Sequence, residues 1–178
     1  NLAAGEYPLV ATYRGDDIYA GSDSAVYTQT VQQVSTAISV TASPNPATTS
    51  DTVVLTATVT ISGPGAGIPT GLVTFTVGSE VMTGALGDNG VATAQVTNPA
   101  VGEHAVSAEY GGDQNFEGVA VAGGTQVVQA VMTVHKAGTG DGDLISDPVG
   151  VACGATCSAR FDPCTVVTVT ARPFISST

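Results

Sequence analysis

A stretch near the start of the chain returns further along at a fixed offset, and that duplication limits the fold more than any other feature. ATYRGDDIYAG, residues 11–21, aligns with AEYGGDQNFEG, residues 108–118. Ala11, Tyr13, Gly15, Asp16, Tyr19 and Gly21 fall on Ala108, Tyr110, Gly112, Asp113, Phe116 and Gly118. The match extends back to Gly5-Glu6 on Gly102-Glu103 and forward to TQTVQ (28–32) on TQVVQ (125–129). Every pair is separated by 97 residues, without a gap. A constant offset means one structural unit copied in tandem.

Arg14-Gly15-Asp16 is the tripeptide that animal integrins read, but the second copy holds Gly111 in the arginine slot and keeps only Gly112-Asp113. The unit needs Gly-Asp and does without the arginine. Gly15 and Gly112 are therefore expected in a structural turn, supplying a positive φ, with Asp16 and Asp113 hydrogen-bonding the backbone just beyond.

Alternation of apolar and polar residues is the clearest local signal. In DTVVLTATVTI, Val53, Leu55, Ala57, Val59 and Ile61 point one way and Val54, Thr56, Thr58 and Thr60 the other. That is a strand with one face in a core and one in water. The pattern recurs in TAISVTA (36–42), GLVTFTV (71–77) and EHAVSAEY (103–110). Breakers separate the runs: SPNP (43–46), SGPGAGIPTG (62–71), GDNG (87–90) and TNPAVGE (97–103). Asn89-Gly90 has the preferred composition of a two-residue hairpin turn. Nothing reads as a helix.

One repeat thus holds about seven short strands, which fits an immunoglobulin-like β-sandwich of roughly 100 residues. The fold class expected is all-β. The complete copy is placed at 34–130, and residues 1–33 are the last two strands and linker of a preceding copy. A lone two-stranded hairpin is marginal in water, so either the rest of that unit lies elsewhere in a longer chain or another chain pairs with it. Residues 131–178 carry a different turn chemistry and all three cysteines. They read as a smaller all-β module, with strands near 131–136, 143–146, 157–161 and 165–171, which is expected to continue further.

The chain has 178 residues and a net charge of −11, with only four basic side chains: Arg14, Lys136, Arg160 and Arg172. Residues 34–130 contain no Lys or Arg. Such a surface repels phosphate backbones, which excludes nucleic acid and anionic membranes as partners. No apolar run is long enough to span a bilayer. Only 11% of residues are charged, so solubility rests on Thr, Ser, Gln and Asn, a bias that points to an extracellular protein.

Taken together, TASPNPATTSDTVVLTATVT, PTGLVTFTVGS, NGVATAQVT and VGEHAVSAEYGGDQNFEG resemble the bacterial Ig-like repeat of large surface and secreted proteins. The resemblance covers nearly all of 34–130 and part of 1–33. Residues 131–178 resemble a divergent internalin B-type repeat, in which a Val-x-Lys-x-Gly-rich turn leads to paired cysteines and a Phe. They depart from it at Asp141, Asp143 and Cys164, and the usual Trp-Gly-rich ending is missing. Proteins built from these modules are generally exported and lie on or are shed from bacterial surfaces. The resemblance also assigns a disulfide to Cys153–Cys157. The C-x3-C spacing itself leaves a Cys157–Cys164 pair open, and Cys164 could instead pair elsewhere or stay free.

No catalytic residues are expected. His104 and His135 lie in strands 31 residues apart with no nucleophile at a diagnostic spacing, and His104 takes the slot that Tyr7 fills in the other copy. Three cysteines without a fourth ligand do not make a zinc site. No cofactor is expected, although Asp141 and Asp143 in their glycine-rich turn are the place where calcium would bind if anywhere. The complete repeat has no lysine for a Lys–Asn cross-link and no cysteine, so its stability rests on apolar burial and backbone pairing.

These readings converge on a non-catalytic spacer: tandem sandwiches forming an adhesin-like stalk, extracellular or on the bacterial surface. The linkers VQQVST (31–36) and VVQAVMT (127–133) are expected to run straight from one module's strand into the next, so the partners are neighbouring modules of the same chain. Two alternatives remain. One is a filament self-associating through β-strand edges, with residues 1–33 completing a neighbour's sandwich. The other is a module whose loops bind a receptor or glycan, against which stands the placement of most Tyr and Phe residues at core positions.

Overall fold

The structure, a computed structural model, describes residues 2–137, 142–153 and 156–174. Every regular element among them is a strand, so the chain is all-β. The first four strands, β1 (Gly5–Leu9), β2 (Thr12–Tyr13), β3 (Ser22–Asp23) and β4 (Tyr27–Val31), make one long irregular hairpin. β1 pairs with β4 and β2 with β3, both antiparallel.

The next eight strands build a two-layered sandwich: β5 (Thr36–Ser43), β6 (Ala47–Thr48), β7 (Thr52–Ile61), β8 (Leu72–Val77), β9 (Glu80–Ala85), β10 (Val91–Thr97), β11 (Gly102–Tyr110) and β12 (Val119–His135). One sheet has the order β10-β7-β5, and the other runs β9-β8-β11-β12, with the short β6 parallel to β12 through Ala47 and Val128. The alternation fixes which face is dry. Val53, Leu55, Ala57 and Val59 of β7 are buried, and they meet Val73, Phe75 and Val77 of β8 and Val106, Ala108 and Tyr110 of β11 in one core. With no cysteine within 34–130 to cross-link it, the domain draws its stability from this layer of apolar side chains, at about 25 cal/mol for each Å² removed from water.

Past the sandwich, β12 does not stop. Its residues Ala130–His135 pair antiparallel with β15 (Thr156–Phe161), so one strand of 17 residues belongs to both modules. A second sheet of the last module has the order β14-β13-β16, from β13 (Gly142–Asp147), β14 (Ala152–Cys153) and β16 (Thr168–Pro173). Its small core gathers Val151, Cys157 and Phe161, with Met132 and Val134 of β12 against them.

Two sequence expectations shift. Asn89-Gly90 is not a hairpin turn: β9 and β10 lie in opposite sheets. The turn folds on itself through Gly90 N–H to Gly87 O at 2.9 Å and Gly87 N–H to Val91 O at 3.0 Å, while Val59 N–H donates to Gly90 O. Turn composition sets the reversal of the chain but not the sheet that the next strand joins. The two-residue hairpin is instead Gly78-Ser79, joining β8 to β9, with Gly78 at φ 59°. Lastly, the linker 31–36 is not one continuous strand. Val31 ends β4, and Val34 forms a separate parallel bridge to Phe116 before β5 starts.

The hairpin of residues 5–31 repeats the last two strands of the sandwich register for register. Gly5↔Val31 and Tyr13↔Ser22 match Gly102↔Val128 and Tyr110↔Val119. Its environment differs sharply. Leu9, Tyr13 and Tyr19 are 49%, 47% and 66% exposed, whereas their counterparts Val106, Tyr110 and Phe116 are 2%, 1% and 5% exposed. The aromatic slots that are buried in the second copy thus face outward in the first, where none of the other described strands pairs with the hairpin.

Candidate functional site

The glycine–aspartate corner is where the chain spends its polar groups. Gly15 and Gly112 have φ of 80° and 82°, a region closed to most side chains. A methyl group on Gly112 would sit 2.9 Å from both Gly118 N and Phe116 O, and on Gly15 2.7 Å from Gly21 N and Tyr19 O. In each copy the aspartate N–H donates to the carbonyl three residues on, Asp16 to Tyr19 and Asp113 to Phe116, both at 2.9 Å. One carboxylate oxygen then takes the next two amides. Asp16 Oδ1 accepts from Ile18 and Tyr19 at 2.9 and 2.8 Å, and Asp113 Oδ1 from Asn115 and Phe116 at 2.8 and 2.9 Å. The two corners are one shape.

The second oxygen separates them. Asp113 Oδ2 accepts the amide and hydroxyl of Thr70 at 2.9 and 2.7 Å, and Tyr110 donates its hydroxyl to the Thr70 carbonyl at 2.9 Å. Asp16 Oδ2 has no such loop and accepts from Tyr13 instead, at 2.9 Å. Burial alone would raise the Asp113 carboxyl, but the Thr70 hydroxyl and the three amides outweigh it and hold it below the usual carboxylate value. Burial, and then the negative charge of Asp113, push Tyr110 up to about 12. The amides of Ile18 and Tyr19, with the Tyr13 hydroxyl, lower Asp16. Asp16 Oδ1 thus serves the backbone of its own turn, and Oδ2 the Tyr13 side chain.

The outer side of the Asp113 corner holds the incoming linker. Val34 N–H donates to Asn115 O at 2.8 Å and Glu117 N–H to Val34 O at 2.9 Å. Gln33 Nε2 donates to Asp113 O at 2.7 Å, the Ser35 hydroxyl to Glu117 Oε2 at 2.8 Å, and Ala4 N–H to Asn115 Oδ1 at 3.0 Å. The linker's backbone bonds go to this corner, which is why it does not run on as a plain strand. The turn is legible in the residues but this second use of it is not; the contrast of Asn115 and Glu117 with Ile18 and Ala20 in the other copy is the available signal.

The remaining candidates lie apart. His104 bonds Ala100 O at 2.8 Å through Nε2, just as the Tyr7 hydroxyl donates to Ala3 O at 2.8 Å. His135 ends β12 in the last module. Among the described residues no group of three or more His, Cys, Asp or Glu side chains is placed to hold a metal. Asp141 lies outside the described residues, and Asp143 is on β13. Cys157 is buried and disulfide-bonded, whereas Cys164 is a free, exposed thiol at φ 61°. The side chain of Cys153 lies outside the described residues.

A sandwich of a three-stranded sheet on β9-β8-β11-β12, with a parallel β6–β12 pair, defines an immunoglobulin-like domain. Residues 40–129, just over half of the chain, match the family model of the bacterial Ig-like domain, group 3, and the chain belongs to that family. No curated protein and no solved structure matches it.

Proposed function

We propose that this chain is a non-catalytic spacer from an exported bacterial surface protein, a stretch of adhesin-like stalk in which successive modules hold a working domain away from the cell. The observation that carries the reading is β12, one strand of 17 residues that pairs over 119–128 with β11, with a bulge at Gly123, and over 130–135 with β15. A shared strand resists bending far better than a loop, because bending it breaks hydrogen bonds on both sides of the junction. The linker at 31–36, pinned to the Asp113 corner, acts in the same direction. Family membership supports the placement outside the cell. On this reading residues 131–178 are a second exported module of internalin B-type character, with Cys153 as the partner of Cys157.

Small-angle X-ray scattering of the whole chain tests it. An extended, stiff particle is expected, and inserting Gly-Gly-Ser after Ala130 should broaden its distance distribution. A chain whose scattering is already that of freely jointed modules, unchanged by the insertion, overturns the spacer reading.

A further inference from the structure

The chain's positive charge is gathered in its last module. Residues 131–178 hold Lys136, Arg160 and Arg172 against four aspartates, whereas residues 1–130 hold Arg14 alone against eleven carboxylates. Two of those three cations meet at one cleft where β12 ends. Its volume is about 480 Å³, the size of a small-ligand site. His135, Lys136, Asp143, Leu144, Arg172 and Pro173 are among the residues that line it.

The charges in this cleft are set by the fold. Lys136 Nζ donates to Gly142 O at 2.7 Å, which ties the ammonium to the start of β13. Asp143 and Arg172 are partners in the ladder between β13 and β16, so both side chains leave the same face of that sheet. Among the described residues neither side chain makes a hydrogen bond or an ion pair. Arg172 is exposed, and its planar fork of N–H donors stays open to a ligand.

We propose that this cleft binds a sugar ring carrying one carboxylate, a terminal uronic acid on an otherwise neutral glycan. Arg172 takes the carboxylate through paired N–H···O bonds, the geometry a guanidinium matches best, and Lys136 adds a second positive charge. Asp143, ionised and an acceptor only, takes a hydroxyl of the ring. Leu144 and Pro173 offer apolar surface to its C–H groups, since such sites join a few polar contacts to an apolar lining. Asp143 also discriminates among anions, because its charge repels a dianion roughly twice as strongly as a monoanion. A polyanionic chain is disfavoured as well, by the acidic residues 1–130. The proposal rests on the cleft alone and is independent of the spacer reading, whose scattering test concerns β12.

The experiment titrates the whole isotope-labelled chain with methyl glucuronide and follows its amide resonances. Saturable shifts are expected at Lys136, Asp143, Leu144 and Arg172. Methyl glucoside, which has the ring without the charge, should bind about tenfold more weakly or less. Arg172→Gln should weaken methyl glucuronide by about tenfold with an unchanged melting temperature, because no bond of the described structure is lost. Arg172→Lys, which keeps the charge without the fork, should fall between the two. The absence of saturable shifts at these amides overturns the site, as does undiminished affinity in a folded Arg172→Gln. Should that variant lose its fold, Arg172→Lys decides, and parent-like affinity in it overturns the paired contact. Inorganic phosphate or N-acetylglycine binding as tightly as methyl glucuronide overturns the sugar acid as the ligand.

Discussion

Through a single oxygen, the carboxylate of Asp113 receives both the amide and the hydroxyl of Thr70, a residue 43 positions earlier. The other oxygen caps Asn115 and Phe116. One side chain therefore ties the loop before β8 to the corner after β11. Asp113→Ala removes four hydrogen bonds at once and is expected to cost about 2–3 kcal/mol, the range for bonds to a charged group whose partners stay half-hydrated. Thr70→Val keeps the amide bond and should cost about 1 kcal/mol. Urea unfolding at neutral pH, read as midpoint at constant slope, measures both.

The same carboxylate makes stability depend on acid. Asp113 titrates lower in the folded chain than in the unfolded one, so its contribution is complete above the ordinary aspartate value, about 4. It is lost as pH falls through the lower folded value. Asp113→Asn should flatten the fall in melting temperature below about pH 4. An equally steep fall in the variant would show that other carboxylates govern it.

At the alkaline end Tyr110, pushed up to about 12, gives the opposite sign. A proton held more tightly when folded stabilises below the unfolded tyrosine value, about 10, and that stability is lost as pH rises through 12. Ultraviolet titration should show one tyrosine ionising near that value in the native chain and none there in Tyr110→Phe.

Gly111 and Gly112 are neighbours with opposite tolerance. A methyl on Gly111 meets nothing within 4 Å, whereas one on Gly112 is forced onto backbone at positive φ. Gly111→Ala should be within about 0.5 kcal/mol of the parent. Gly112→Ala should cost about 1–2 kcal/mol from the left-handed backbone alone, and more from the contact. Thermal melts of the two variants side by side decide it.

In the core, Phe75 is fully buried between the sheets. Phe75→Ala should destabilise by about 3–5 kcal/mol, measured by the same urea series, and Tyr13→Ala in the parent chain by far less, because Tyr13 lies half exposed.

Much of this fold could be read in the residues because the alternation and the 97-residue offset are local facts with one spatial meaning. Val53 to Val59 had to share a face, and the two corners had to share a shape. What stayed hidden depended on distant pairing. Asn89-Gly90 has hairpin chemistry, yet β10 is drawn across to β7, where Ala92 and Val96 find the core. The working hairpin, Gly78-Ser79, follows directly on Val77 and is not among the breakers picked out in the sequence. Thr70 gave no sign of its clasp, since nothing within the loop says that Asp113 will arrive beside it.

The parallel seat of β6 against β12 bears on how the domain answers to tension. The chain enters the sandwich at Thr36 and leaves along β12 into the next module. A pull on the two ends drags Ala47-Thr48 and Val128-Gln129 past each other lengthwise. Bonds strained in that direction give way together and not one after another, so this two-residue seam would act as the latch that decides when the sandwich lets go.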